Sequence, residues 1–388
     1  MLELTPDKQR RGLLNFTGLI AAATAIVIAL PALLAYFGTS RSSEYLGFQY
    51  NTDDHMVYAA WMRQAMDGRF LMDNRFTTDP QPGLTVNLYF FAIGLLAKVT
   101  GIPLAAHIAR VLLSVLFIGL LSRLIRRVEV PIYTHKLALS LAIIGGGFGF
   151  LVWHNFGQAI ILSTPSMLAS PMLGRLPTDV WQPEGFVLPS MLTNSLFMAS
   201  LCLISFILVG LLDSQGSWKP VLPAAGAMGV LMNIHSYDVL MIAFTMVGFL
   251  TMALARGQAT LPWIARAAAI GAGAIPSALW FLHVLREDPV FQARAATETY
   301  SPNFRQVLFG YLPMVLLAFL AMGLRTKTNP ERTRHLAGLG VIAAVFLALF
   351  ALAPSHQEGY FLSYGGWALA FVAALAGLYL ISDNRPAW

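Results

Sequence analysis

Two adjacent carboxylates, Asp53 and Asp54, are followed directly by His55 in the polar stretch "NTDDHMVYAAW". Carboxylates suit Mg²⁺ or Mn²⁺, although two acids are fewer than a full ligand set, so the sequence leaves a metal requirement open. A simpler interpretation is that Asn51 or Thr52 caps a helix and both acids fall in its first turn. There they would complement the helix dipole by about 0.3–1 kcal/mol.

Other polar residues interrupt strongly apolar runs. Arg110 lies about two turns into the run 103–125, where an arginine costs at least about 2.5 kcal/mol and is functional by default. The alternative is that its side chain snorkels to the membrane interface. His235 and Asp238 belong to "HSYD", between two apolar runs, and either serve a site or form a hydrogen-bonded pair that closes the turn.

The elements that position these residues are membrane helices. The chain has 388 residues, of which 57% are hydrophobic and 11% charged, whereas globular domains carry about 25% charged residues. Several apolar runs reach the roughly 20 residues that span a bilayer. The net charge of +6 comes mostly from basic residues between these runs, which act as topology determinants and do not indicate nucleic-acid binding. The single cysteine, Cys202, excludes a disulfide framework.

We therefore predict an all-α, polytopic membrane protein with about ten spans and both termini in the cytoplasm. The run 85–99 is short for a span, and treating it as an interfacial helix keeps the basic "RLIRR" (123–127) on the inner side. The predicted spans are 12–37, 104–125, 137–153, 188–212, 220–234, 236–255, 264–283, 306–324, 336–353 and 365–382.

The long polar segments then all fall on the outer face. They are 38–103, 154–187, 284–305 and 354–364, with the short turn at His235. The first of them carries the interfacial helices and belongs to one integral membrane domain that covers residues 1–388. Polar material concentrated on one face indicates chemistry or binding there.

The first 130 residues resemble the GT-C membrane glycosyltransferases, including protein O-mannosyltransferases and lipid A aminoarabinose transferases. The matching pieces are Asp53–Asp54, "MDGRF" (66–70), "DPQPGLTVNLYFFAIGLLAKVTGI" (79–102), "HIARVLLSVLFIGLL" (107–121) and "RLIRR" (123–127). Beyond them the likeness is mainly topological. The resemblance implies transfer of a sugar from a polyprenyl-phosphate donor to an acceptor hydroxyl at the outer face of the inner (plasma) membrane.

In that chemistry a carboxylate acts as general base and positive charge stabilises the phosphate leaving group. The resemblance implies that Asp53 or Asp54 is the base, and we favour Asp53. Asp54 would orient His55 or Arg63, or help to bind a divalent cation. The candidates for phosphate binding are Lys98, Arg110, Arg175, Arg294 and Arg305, and the other predicted substrate-binding residues are His55, Arg63, Glu184, His235, Asp238 and His356.

Two other classes of function compete with a transferase. A transporter or lipid flippase would need polar residues along a path through the spans, and most long spans here are apolar or rich in Gly and Ala. A non-catalytic assembly protein of the cell envelope is the third interpretation.

Overall fold

A computed structural model describes residues 6–48, 52–127, 132–145, 186–255, 257, 259–296 and 310. Within these residues the chain forms twelve helices and one isolated β-bridge, between Met72 and Thr85. The helices are α1 (Pro6–Gly38), α2 (Thr52–Met66), α3 (Leu88–Thr100), α4 (Ile102–Arg126), α5 (Ile132–Ile144), α6 (Val187–Thr193), α7 (Ser195–Asp213), α8 (Val221–Ile234), α9 (Ser236–Ala255), α10 (Leu261–Ala272), α11 (Ile275–Glu287) and α12 (Pro289–Ala295).

Within the described residues, which are mostly helical, four segments are long and apolar enough to cross a membrane, as expected of a helical membrane protein. They are Arg11–Gly38, Ile102–Arg126, Ser195–Asp213 and Leu261–Glu287, the last formed by α10 and α11 together. Each has 19 residues or more, close to or above the about 20 that a bilayer requires. The helices α3, α5, α8 and α9 are apolar but provide shorter apolar segments.

The core forms where α4 and α7 pack against each other, with α1 against α4 and α8 against α7. Large side chains on these helices are fully buried, among them Phe117, Ile118, Ile204 and Ile207. A small residue permits the closest approach: a Cβ added at Gly210 on α7 would stand 2.7 Å from the Ala224 Cβ on α8. Such close packing through small residues is the usual way in which membrane helices associate.

One of the predicted spans is broken in the structure. The run 188–212 divides at Asn194, whose extended backbone separates α6 from α7 and whose side chain accepts a hydrogen bond from the Leu196 N–H, 2.9 Å. The run 264–283 contains a turn at Gly273 and Ala274, between α10 and α11, but both residues keep right-handed helical dihedral angles, so Leu261–Glu287 remains one candidate span. The predicted spans 336–353 and 365–382, residues 146–153 of the span 137–153, and all of 306–324 except residue 310 lie outside the described residues.

The prediction of two short helices in the first polar segment is confirmed. The helix α2 carries Asp53 and Asp54 in its first turn, and the chain leaves it at Gly68, whose φ of 86° favours glycine. With 13 residues α3 is too short to span a bilayer. It begins at Asn87, whose side chain accepts a hydrogen bond from the Phe90 N–H.

Hydrogen bonds hold this polar segment at one end of the helix bundle. The Asn233 side chain, at the end of α8, accepts from the Leu88 N–H (2.7 Å) and donates to the Val86 carbonyl (3.0 Å). The last residue of α7, Asp213, lies at the other end of the bundle. It pairs with Arg123 (3.1 Å) and Arg127 (2.5 Å) at the end of α4.

Candidate functional site

The two carboxylates at the start of α2 differ in exposure. Asp53 is exposed, whereas Asp54 is half-buried and lies close enough to His55 to stabilise its protonated form. Both acids stand where the unpaired N–H groups of the first helical turn favour negative charge. The helix dipole therefore accounts for the position of both acids, and only Asp53 is fully open to an incoming molecule.

His55 is buried, and its ring is held by one hydrogen bond and one stacking contact. Its Nε2 donates to the Thr193 carbonyl, 3.1 Å away, because a carbonyl can only accept. The ring stacks on Phe48 with centroids 4.5 Å apart. Burial lowers the pKa of His55, while the Thr193 carbonyl and the Asp54 carboxylate act in the opposite direction and Arg110 adds to the lowering.

Arg110 is buried in α4, with only 4% of its surface exposed, so the snorkelling interpretation is wrong. Its Nη1 lies within hydrogen-bond distance of three main-chain carbonyls, those of Ile28 (3.0 Å), Met191 (2.8 Å) and Leu192 (3.0 Å), so two of them share one of its two N–H groups. Two of these carbonyls belong to the last turn of α6, where a helix leaves its carbonyls without partners. The guanidinium therefore caps α6 and joins it to α1 and α4.

A second histidine extends this network to the chain that precedes α2. The Arg110 Nη2 donates to the His107 Nδ1 over 3.2 Å. Arginine has no acceptor, so Nδ1 of His107 must accept and its Nε2 must carry the proton, which it donates to the Gly47 carbonyl 2.8 Å away. The hydrogen bond from His107 to Gly47 therefore fixes the chain between α1 and α2, a few residues before Asp53.

The buried positive charge of Arg110 has no carboxylate partner among the described residues. Tyr45 stands near it, and its hydroxyl oxygen is buried without a hydrogen-bond partner. Burial raises the pKa of Tyr45, and Arg110 acts in the opposite direction. A buried cation without a counter-charge is electrostatically complementary to an anion.

Two predicted binding residues lie on the surface, away from this network. Arg63 pairs with Asp67 at 3.5 Å, and both side chains are more than half exposed. Lys98 is exposed in the last turn of α3. A third basic candidate, Arg294, places its guanidinium 5.4 Å from the Trp61 ring of α2. These positions leave Arg110 as the buried cation nearest to His55.

His235 and Asp238 form a separate buried group. The His235 Nδ1 lies 2.8 Å from the Asp238 Oδ2, and the Ser200 Oγ donates to the same carboxylate oxygen. The carboxylate is nearly inaccessible and connects the turn between α8 and α9 to α7. This arrangement matches the interpretation of a hydrogen-bonded pair that closes the turn, and it adds Ser200, which the sequence analysis missed.

Three further contacts of the site were not predicted from the sequence, namely those of Tyr45, His107 and Thr193. The contact of His107 could have been predicted, because His107 and Arg110 are three residues apart in a predicted helix and therefore share a helix face. Thr193 contributes a main-chain carbonyl, for which residue type gives no indication. The predicted residues Arg175, Glu184, Arg305 and His356 lie outside the described residues.

The arrangement combines an exposed acid with a buried cation at one end of the helix bundle. The acid can accept a proton from an approaching hydroxyl, and the cation can attract an anionic group. Among the described residues no group of three or more His, Cys, Asp or Glu side chains could hold a metal ion, so Asp53 and Asp54 stand as a pair. Comparisons with known protein families, characterised proteins and solved structures find no match for this chain.

Proposed function

We propose that the protein is a membrane glycosyltransferase that moves a sugar from a polyprenyl-phosphate donor to an acceptor hydroxyl at the outer face of the plasma membrane. The observation that supports this most is that His55 lies near both the acidic pair, of which Asp53 is exposed and Asp54 half-buried, and the buried Arg110, which has no carboxylate partner among the described residues. About ten spans, with both termini in the cytoplasm, complete the proposed topology.

In the proposed reaction Asp53 accepts the proton of the acceptor hydroxyl while the oxygen attacks the anomeric carbon. The bond between that carbon and the donor phosphate breaks, and the phosphate leaves as an anion. Because phosphate is already a weak base, no general acid is needed, unlike in glycoside hydrolysis. A single base suffices for direct displacement, so the configuration at the anomeric carbon is inverted.

Positive charge is the second requirement of this chemistry. Arg110 supplies it from within the helix bundle, at the level where a lipid-linked phosphate would enter. A divalent cation, if bound by Asp53 and Asp54, would neutralise charge on the same phosphate, but the two acids form an incomplete ligand set.

The test is donor turnover by the purified protein in vesicles of cell-envelope lipid, which supplies acceptor hydroxyls, measured as release of polyprenyl phosphate from a panel of polyprenyl-phosphate hexoses and pentoses. We expect Asp53→Asn to lower turnover by about 10²–10⁴-fold, the usual contribution of a general base. Asp54→Asn should have a smaller effect. Asp67→Asn is the matched control, since Asp67 is an exposed acid just beyond the same helix and is expected to be neutral.

Each competing function gives a different result. Full turnover in Asp53→Asn would remove that residue from the catalytic role. A wild-type protein that consumes none of the donors but moves them between the leaflets of the vesicle would be a flippase. A wild-type protein that does neither, while it still inserts and folds, would favour the assembly role.

A further inference from the structure

The loop between α2 and α3 is held rigidly, in spite of its polar sequence. Two glutamine side chains each form a pair of hydrogen bonds with the main chain of this loop. Gln64 bonds both the N–H and the carbonyl of Asp73 (3.0 Å each), and Gln81 does the same for Asn74 (2.7 and 2.8 Å). The β-bridge between Met72 and Thr85 closes the loop, and the Met72 side chain is fully buried.

This rigid loop displays three large apolar side chains on its surface. Phe70, Leu71 and Phe76 are 46%, 41% and 59% exposed. Exposure of three large apolar side chains within one short loop is unfavourable in water, because burying apolar surface stabilises a protein by about 25 cal/mol for each Å². Their exposure on a fixed frame therefore indicates an apolar environment outside the chain.

The apolar surface continues from the loop onto the membrane-facing part of the bundle. Phe70 packs edge-to-face on Phe91 of α3, with ring centroids 5.2 Å apart. Further along α3, Leu95 and Val99 are exposed one turn apart and share a helix face. The chain then enters the candidate span α4, where Leu104 is exposed as well.

Charge on the loop also fits a lipid surface. Arg69 and Arg75 both pair with the single carboxylate of Asp73, at 3.2 and 2.7 Å. Two guanidinium groups share one acid, so Arg69, Asp73 and Arg75 together carry one positive charge beside the apolar side chains, while Asp67 and Asp79 bring the total for residues 67–87 to −1. Exposed arginines next to apolar side chains are typical of segments that lie at the boundary between headgroups and acyl chains.

We propose that this loop is a membrane-insertion element. Phe70, Leu71 and Phe76 enter the boundary between headgroups and acyl chains, about 5–10 Å deep, while Arg69 and Arg75 contact the phosphates of acidic phospholipids. The inserted loop fixes α2, and with it Asp53, at the level of the lipid headgroups. The inference concerns the lipid and holds whether or not the protein transfers a sugar.

The test uses spin labels on the full-length protein in vesicles of phosphatidylcholine, with and without phosphatidylglycerol. The variants are Leu71→Cys, Phe76→Cys and, as the control on the polar side of the same loop, Asp79→Cys. The native Cys202 is buried in α7, and unlabelled wild-type protein measures its background. Collision rates with oxygen, which dissolves in lipid, and with a water-soluble nickel chelate give the depth of each label.

We expect labels at 71 and 76 to collide preferentially with oxygen and the label at 79 preferentially with nickel. Addition of Arg75→Gln to Phe76→Cys should remove the deepening that phosphatidylglycerol causes. Nickel access at 71 and 76 equal to that at 79 would overturn the proposal and leave the patch as a surface for a protein partner. Labels that stay deep without any effect of phosphatidylglycerol would overturn the part that concerns acidic lipids.

Discussion

At the scale of single residues, Arg110 shows how a buried charge can be both structural and functional. Its guanidinium donates hydrogen bonds to the carbonyls of Met191 and Leu192 in α6 and of Ile28 in α1. These bonds offset part of the free energy that it costs to bury a charge in an apolar helix. These acceptors are neutral. The charge itself is not cancelled, which leaves it available to a ligand phosphate.

The structural part of this role predicts a loss of stability in Arg110→Met. Each buried carbonyl left without a donor costs about 1–3 kcal/mol, so the variant should unfold at a clearly lower temperature in detergent. The matched control is Arg63→Met, since Arg63 is an exposed arginine with a surface ion pair and should change stability by about 0.5 kcal/mol or less. A variant that unfolds like wild type but no longer binds donor would assign Arg110 to the ligand alone.

Residue type alone predicted part of this site. Asp53, Asp54, His55 and Arg110 stood out because they are polar or charged at unusual places along the chain. Their partners did not, because His55 meets a carbonyl 138 residues away and His107 meets one 60 residues away. Such contacts depend on how helices pack, and a main-chain carbonyl carries no signature in the sequence.

At the scale of helices, the apolar runs predicted α1 and α4 within a few residues of their observed ends. The break at Asn194 was not predicted, because one polar residue within an apolar run is compatible with a continuous helix. Asn194 breaks the helix by adopting an extended backbone and capping α7 with its own side chain. Packing against neighbouring helices decides between the two outcomes.

The pairing of α2 with α3 depends on a glycine. Gly94 on α3 faces α2 so closely that an added Cβ would lie 2.7 Å from the Met62 carbonyl oxygen. We expect Gly94→Ala to force the two helices apart and to cost about 1–3 kcal/mol, measured by thermal unfolding. Gly119→Ala on α4 is the control, because open space surrounds that position and alanine favours a helix by up to about 1 kcal/mol. Equal unfolding temperatures would contradict the close contact.

At the scale of the whole molecule, α7 has the acidic pair of α2 near its start and the ion pairs of Asp213 at its end. The start of α7 lies beside α2, through the hydrogen bond from His55 to Thr193, and its end lies beside the arginines of α4. With 19 residues, α7 separates these ends by about 28 Å, close to the thickness of the hydrocarbon core. If α7 spans a bilayer, Asp53 and Asp213 are expected on opposite sides of it.

This separation predicts opposite accessibility for two engineered cysteines, Thr78→Cys in the α2–α3 loop and Gly216→Cys after α7. Both positions are exposed, and nothing lies within 4 Å of a Cβ at Gly216. In sealed, right-side-out membrane vesicles, an impermeant maleimide should label position 78 at once and position 216 only after permeabilisation. The wild-type protein, with buried Cys202, should remain unlabelled. Labelling of both positions in sealed vesicles would contradict their separation to opposite sides of the membrane. Labelling of position 216 alone would show that Asp53 faces the cytoplasm, away from the proposed acceptor.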